Sequence, residues 1–536
     1  MKSRSLTFCL AIVLCSFPLL AVNGHDHHLM PGEKLGSVSF PVSCAVEVQR
    51  PFERGVALLH SFEYESADHQ FQEVAEHDPQ CAMAYWGRAM SLYHELWNRT
   101  SKEDLKRGHE WLEKARQLKT KTPREREYID ALAVYFQDSD KLEYRQRTSA
   151  YATAMEGVYQ HNPNDREAAV FYALSLLASD HGDDPTLAND RKAVAILNKI
   201  FDRQPDHPGV AHYIIHSCDN PQMASLGLVA ARKYAAIAPS SPHAVHMPSH
   251  IFARLGLWQE DIASNSAALR AADKMAAMRL HVMHHRMHSM DFMHYAYLQI
   301  GDDANAQRLY DELKKYNRAD IEKDYQDYYD EMVTSFAARY AVERKQWKVA
   351  LALPPLAGAQ PNIQLGTYWA HAVAAGRMHD SRAAENALKT YESLLDEIKK
   401  GPKAYIADNV SSEHEEVQAW AAYAQGKTDE ATRILRAIAD RQDKVGKFEV
   451  EIPAREMLAD MLLEMKRPQD ALTEYERSLK TDPNRFNGLY GAAEAAEALN
   501  KKDEAAGYYA QLLKNCEGVN SDRPELVKAR MLLAKK

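Results

Sequence analysis

The chain has 536 residues, 46% hydrophobic and 26% charged, enough for two to four compact domains or one long solenoid. Gly and Pro number only 22 each, which excludes extensive disorder. The formal net charge of −9, with no basic stripe to offset it, argues against nucleic acid as a main partner.

Residues 1–24 read as a secretory signal. Lys2 and Arg4 form a basic start, and Leu6 to Leu20 is apolar but too short for a membrane span. Val22-Asn23-Gly24 suits cleavage after Gly24, with an uncleaved N-terminal anchor as the alternative. The expectation is an exported protein, periplasmic or secreted, with no membrane span after cleavage. Loss of Lys2 and Arg4 moves the net charge to −11. The new terminus, His25-Asp26-His27-His28, has a histidine in third place. Its α-amine, backbone amides and His27 can chelate Cu(II) or Ni(II) in a square plane. His25 can also chelate through amine and ring; a polar tail is the simpler identity.

Residues 25–50 form an N-terminal arm. Four cysteines outlast the signal: Cys44, Cys81, Cys218 and Cys516. Cys44 precedes the first helix and Cys81 opens the second repeat, so a disulfide between them can staple the arm down in an oxidising compartment. The absence of CxxC and CxxCH removes thioredoxin-like and c-type haem chemistry.

From Pro51 to Lys514 the chain repeats. Units such as Gln469-Asp470-Ala471-Leu472-Thr473-Glu474-Tyr475 through Asp482-Pro483, Asp503-Glu504-Ala505-Ala506-Gly507-Tyr508-Tyr509, Thr428-Asp429-Glu430-Ala431 and Tyr85-Trp86-Gly87-Arg88-Ala89 recur at about 34 residues. One helix pair cannot bury its apolar face alone, so pairs stack. Eleven or twelve pairs are predicted, ending at exits such as Asp78-Pro79, Asn162-Pro163, Gln204-Pro205, Ala238-Pro239 and Asp482-Pro483. Pro354-Pro355 and Gly358 to Pro361 read as a joint between a His-rich array at 51–350 and a second array at 360–536. An acidic insertion falls at Asp180-His181-Gly182-Asp183-Asp184; its spacing fails the EF-hand pattern.

These units resemble the tetratricopeptide (TPR) repeat, which implies an all-α fold: a right-handed α-solenoid of stacked antiparallel helix pairs. A narrower resemblance, to a group of exported bacterial TPR proteins with a His-rich N-terminal half, rests on four segments. These are Phe40-Pro41-Val42-Ser43-Cys44, Gly55 to Phe62, Asp78 to Gly87, and His246-Met247-Pro248-Ser249-His250. No activity follows from it.

Eleven of the 24 histidines fall between His207 and His294. His243, His246 and His250 are spaced i, i+3, i+7, one face of a helix, and His212 and His216 form an i, i+4 pair one repeat earlier. In the TPR register these residues, with His288 and Asp291 of the next repeat, sit at positions of the first helices that line the inner groove. Imidazole is the commonest transition-metal ligand, and two histidines from each of two packed helices can converge on one ion. The predicted ligands are His212, His216, His246 and His250, with His60 and His94 over the same groove. His243, His288, Asp291, Glu95, His25 and His27 are further candidates. Pro248 either kinks the helix between His246 and His250 or starts it late. The segment Met283 to His294 mixes thioether with imidazole, which favours copper over magnesium or calcium; a methionine-filled core helix is the plainer reading. Copper is the expected ion, ahead of zinc or iron. His284 and His285 are expected to be solvated.

No HExxH, GxSxG, Walker loop or dinucleotide fingerprint is present. Two functions follow. One is a groove holding a transition metal, copper favoured, where an open coordination position would activate water or dioxygen for a small molecule or peptide bound alongside. The other is a metal-free scaffold whose groove binds a peptide or protein.

Overall fold

The computed structural model describes residues 32–94, 96, 99–118, 120–180, 182, 184–277, 282–401 and 403–534. The expected signal, His25, His27 and Glu95 lie outside them. Residues 34–536 form one compact unit, and 1–33 fall in a separate one. Among the described residues all regular secondary structure is helical, with no strand. The helices run as twelve successive pairs from Gln49–His60 with Tyr64–His77 to Phe486–Ala498 with Lys502–Asn515, followed by Pro524–Leu533. No described helix is long and apolar enough to cross a membrane.

The repeat is written in its turns. After the first helix of many pairs one residue takes a left-handed φ: Phe62, Gly256, Gly301, Lys345, His379, Gly426, Lys466 and Asn500. Each ends its helix in the same way. In the first, Phe62 N–H donates to the Leu59 carbonyl at 3.0 Å and Glu63 N–H to the Leu58 carbonyl at 3.0 Å. This paired closure satisfies the orphan carbonyls of the last turn. Phe62, at φ +56°, is the only phenylalanine among the eight; a bulky side chain there is strained.

The predicted Pro exits hold: helices end at His77, His161, Phe201, Ile237 and Thr481, at or shortly before those motifs. Small residues admit aromatic rings where helices cross. A Cβ on Gly87 would overlap the Phe71 ring, and one on Gly491 the Tyr475 ring. Residues 352–360 are non-helical, at the predicted joint.

The arm from residue 34 lies along the first pairs. Phe40 is fully buried, 5.6 Å from both Phe52 and Trp86 between ring centres, and Ser37 N–H donates to the Asp206 carbonyl at 3.0 Å. Cys44 and Cys81 form a disulfide with Cα atoms 4.9 Å apart.

The C-terminal pairs return to the His-rich ones. Trp258 Nε1–H donates to the Asn484 carbonyl at 2.9 Å, and Gln222 donates to the carbonyls of Asp443 and Lys444 at 2.8 and 2.9 Å. Buried Arg485 pairs with Glu343 and Glu456, each at 2.8 Å. These contacts hold the loop carrying Glu449 against the histidines.

Candidate metal centre

Three consecutive first helices carry the site: Pro208–Ser217, the kinked helix Pro242–His246 and Pro248–Arg254, and Met283–Gln299. Met247 keeps helical angles (φ −50°, ψ −33°), so the chain passes through Pro248 as a kink. His246 therefore lies in the helix before the proline, and the late start is not what forms.

The histidines divide into two sets of three. His212, His216 and His243 offer ligand atoms all within 4.8 Å of one another, and so do His246, His250 and His288. Each set is an i, i+4 pair plus one histidine from a neighbouring helix. The expected four-histidine group of His212, His216, His246 and His250 is thus split. His243 and His288, read as secondary candidates, complete the two halves.

Hydrogen bonds behind three of the rings fix which nitrogen there carries hydrogen. The His60 carbonyl can only accept, so His212 Nδ1–H donates to it at 2.6 Å. His212 Nε2 then carries a single lone pair, which faces His216 Nε2 and His243 Nε2, both at 3.1 Å. One lone pair cannot serve two donors. In the second set, Asn265 Nδ2 donates to the Asp261 carbonyl and carboxyl at 3.1 and 2.9 Å, which leaves Asn265 Oδ1 to accept from His246 Nδ1–H at 2.5 Å. His246 Nε2 is therefore a bare acceptor, 3.1 Å from His250 Nε2. His250 Nδ1–H donates to Asp219 at 2.8 Å and Glu449 at 2.9 Å. His288 Nδ1 lies 3.3 Å from the Tyr328 hydroxyl. Such outer partners orient imidazoles toward an ion.

Electrostatics follow burial. Desolvation, then the neighbouring histidines, hold His212, His243 and His246 well below the usual imidazole range. The same causes bring His216 and His288 to about 3. These rings stay neutral, with lone pairs available. His250 differs: burial works against its charge, but Glu449 and Asp219 lift it to about 10. The protein stabilises positive charge at that point.

One phenylalanine covers each set. Phe62 lies 4.3, 5.4 and 5.4 Å from the ring centres of His212, His216 and His243. Phe292 lies 5.0, 4.7 and 5.3 Å from those of His246, His250 and His288.

Other candidates sit elsewhere. His60 belongs to a buried cluster with Glu167 and His207. Both histidines donate Nε2–H to Glu167 at 2.8 Å, Tyr213 O–H donates to His60 Nδ1 at 3.0 Å, and Val210 N–H donates to His207 Nδ1 at 3.3 Å. His60, Glu167 and His207 also offer ligand atoms within 4.8 Å of one another, with every ring nitrogen already hydrogen-bonded; His60 meets the first set through its carbonyl. His94 packs on Tyr64, 5.0 Å between ring centres, and Asp291 pairs with Arg339 at 2.7 Å. The structure brings neither to the two sets. His285, expected to be solvated, is buried with its Nε2 3.4 Å from Glu63. Met287, Met290 and Met293 fill the core, the plainer reading of that segment. Sequence reasoning missed Asp219, Glu449, Asn265, Glu167 and the two phenylalanines.

No curated protein matches the chain. Among solved structures it is similar to a human IFIT1 dimer with m7Gppp-AAAA, at 12% identity over 82% of this chain and 90% of that one, TM-score 0.36. It is also similar to the APC/C hetero-tetramer Cut9-Hcn1, at 13% identity over 84% and 76%, TM-score 0.34. A third is the P58(IPK) TPR domain, at 15% identity over 69% and 99%, TM-score 0.21. Residues 456–520 match the tetratricopeptide repeat model. That stretch carries the tetratricopeptide repeat, within an all-helical stack of helix pairs.

Proposed function

We propose that this chain is an exported TPR protein that binds transition metal through its two three-histidine sets, with copper as the favoured ion. One observation carries the reading: the single lone pair of His212 Nε2 faces two further Nε2 atoms at 3.1 Å, inside a buried site that keeps the rings neutral. At most one of the two can donate to that lone pair, and a cation between the three nitrogens would satisfy all of them at once. Imidazole nitrogens suit copper and zinc and give little to magnesium or calcium, and an ion at the second set takes the place of the proton that Glu449 and Asp219 hold on His250. The Cys44–Cys81 disulfide accords with an oxidising compartment and so with export.

A second reading, a metal-free scaffold for a protein or peptide partner, is favoured by the TPR match at 456–520, a stretch with no histidine. The two readings separate on chelation, which a scaffold survives with its partner affinity intact. The test is elemental mass spectrometry of the exported protein, purified without a histidine tag. Near-stoichiometric copper, reduced in a His246→Ala/His250→Ala variant of normal helix content, is the expected result. No bound metal, and none retained after loading with copper, zinc or iron, overturns the metal reading.

A further inference from the structure

We infer that the two three-histidine sets act as one two-metal site, holding two copper ions close enough to bind one dioxygen molecule between them. This rests on the metal reading above and adds that the ions are coupled.

The sets are near copies: an i, i+4 pair, one histidine from a neighbouring helix, and one phenylalanine against all three rings. They also touch. The ring centres of His243 and His246 are 6.2 Å apart, and those of His216 and His250 are 6.3 Å apart. Within the first set His216 and His243 are 6.5 Å apart. Rings of opposite sets thus approach as closely as the widest pair within one set, so the two sets adjoin. Protein two-metal sites space their ions about 3.5–4 Å apart.

Charge and access favour a small anionic bridge. Six imidazoles bring no negative charge to two cations, so a dianion between oxidised ions cancels half of their total. Three protein ligands leave each ion an open position. His216 and His288, one from each set, are partly exposed where the other ligands are buried, so each set has one ligand that solvent reaches. The reaction balances without protons. Each of two Cu(I) ions gives one electron, the O–O double bond becomes a single bond, and two copper–oxygen bonds form. The product is peroxide bridging two Cu(II). Phe62 and Phe292 keep water from the covered faces of the rings.

The test loads the metal-free full chain with Cu(I) without oxygen, removes excess, counts copper per chain, then admits oxygen. Two copper ions per chain, one dioxygen taken up per pair, and oxidised copper silent in electron paramagnetic resonance through spin pairing are expected. His216→Ala should retain one copper that takes up no dioxygen and gives a full Cu(II) signal after oxidation. His288→Ala repeats the test from the other set, with helix content checked by circular dichroism for both. Two copper ions per wild-type chain that both give full Cu(II) signals would overturn the coupling and leave the metal reading standing. A chain that retains no copper overturns both.

Discussion

Glu167→Gln tests the buried cluster that holds the His60 carbonyl behind His212. Glu167 is 1% exposed and accepts from two imidazole N–H groups at 2.8 Å. Burial alone would raise its carboxyl, but the two histidines outweigh burial and bring it down from 4.5 to about 2. At 1.36 kcal/mol per unit, the ionised group stabilises the folded state by about 3 kcal/mol at neutral pH. Because the folded value is the lower one, that contribution is complete above about pH 4.5 and disappears as pH falls toward 2. Urea unfolding at pH 7 should show Glu167→Gln less stable by about 3 kcal/mol, with an unchanged denaturant slope. At pH 3 the gap should shrink to about 1 kcal/mol. A variant as stable as the parent at pH 7, or a gap that ignores pH, would refute the closed network.

Two further outcomes are expected. A Cβ at position 209 would lie 2.6 Å from His60 Nδ1 and 2.7 Å from its Cγ. Gly209→Ala should therefore lower stability by about 1–3 kcal/mol, read as a drop in melting temperature; an unchanged melting temperature means the helices do not approach this closely. Asn265→Leu removes the acceptor behind His246 and should weaken copper binding about 10–100-fold, measured by competition with a chelator of known affinity. Unchanged affinity would show that Asn265 does not orient the ring.

The helix pairs were legible because a 34-residue period, small crossing residues and Pro exits all report local structure. The i, i+4 pairs were legible for the same reason: both members share one helix. The grouping was not. His243, His246 and His250 read as a single stripe, but the three-residue step from His243 to His246 turns the second ring toward His288 while the first meets His212. Which third histidine joins each pair depends on how neighbouring repeats pack. Asn265 sits on a second helix, where the repeat pattern gives no reason to look. Asp219 has a partial signal, lying three residues beyond His216. Glu449, 199 residues from His250, has none in the sequence.

That separation orders events during synthesis. The six histidines and Asp219 emerge within 77 residues of one another, His212 to His288, so the first acceptor behind His250 is available as soon as those repeats pack. Glu449 follows His250 by 199 residues, about 10–40 s later at the usual pace of translation. For that interval His250 has one carboxylate behind it instead of two. The nascent chain thus carries a half-supported second set, and the finished one exists only when the last third of the protein has folded back onto the first two.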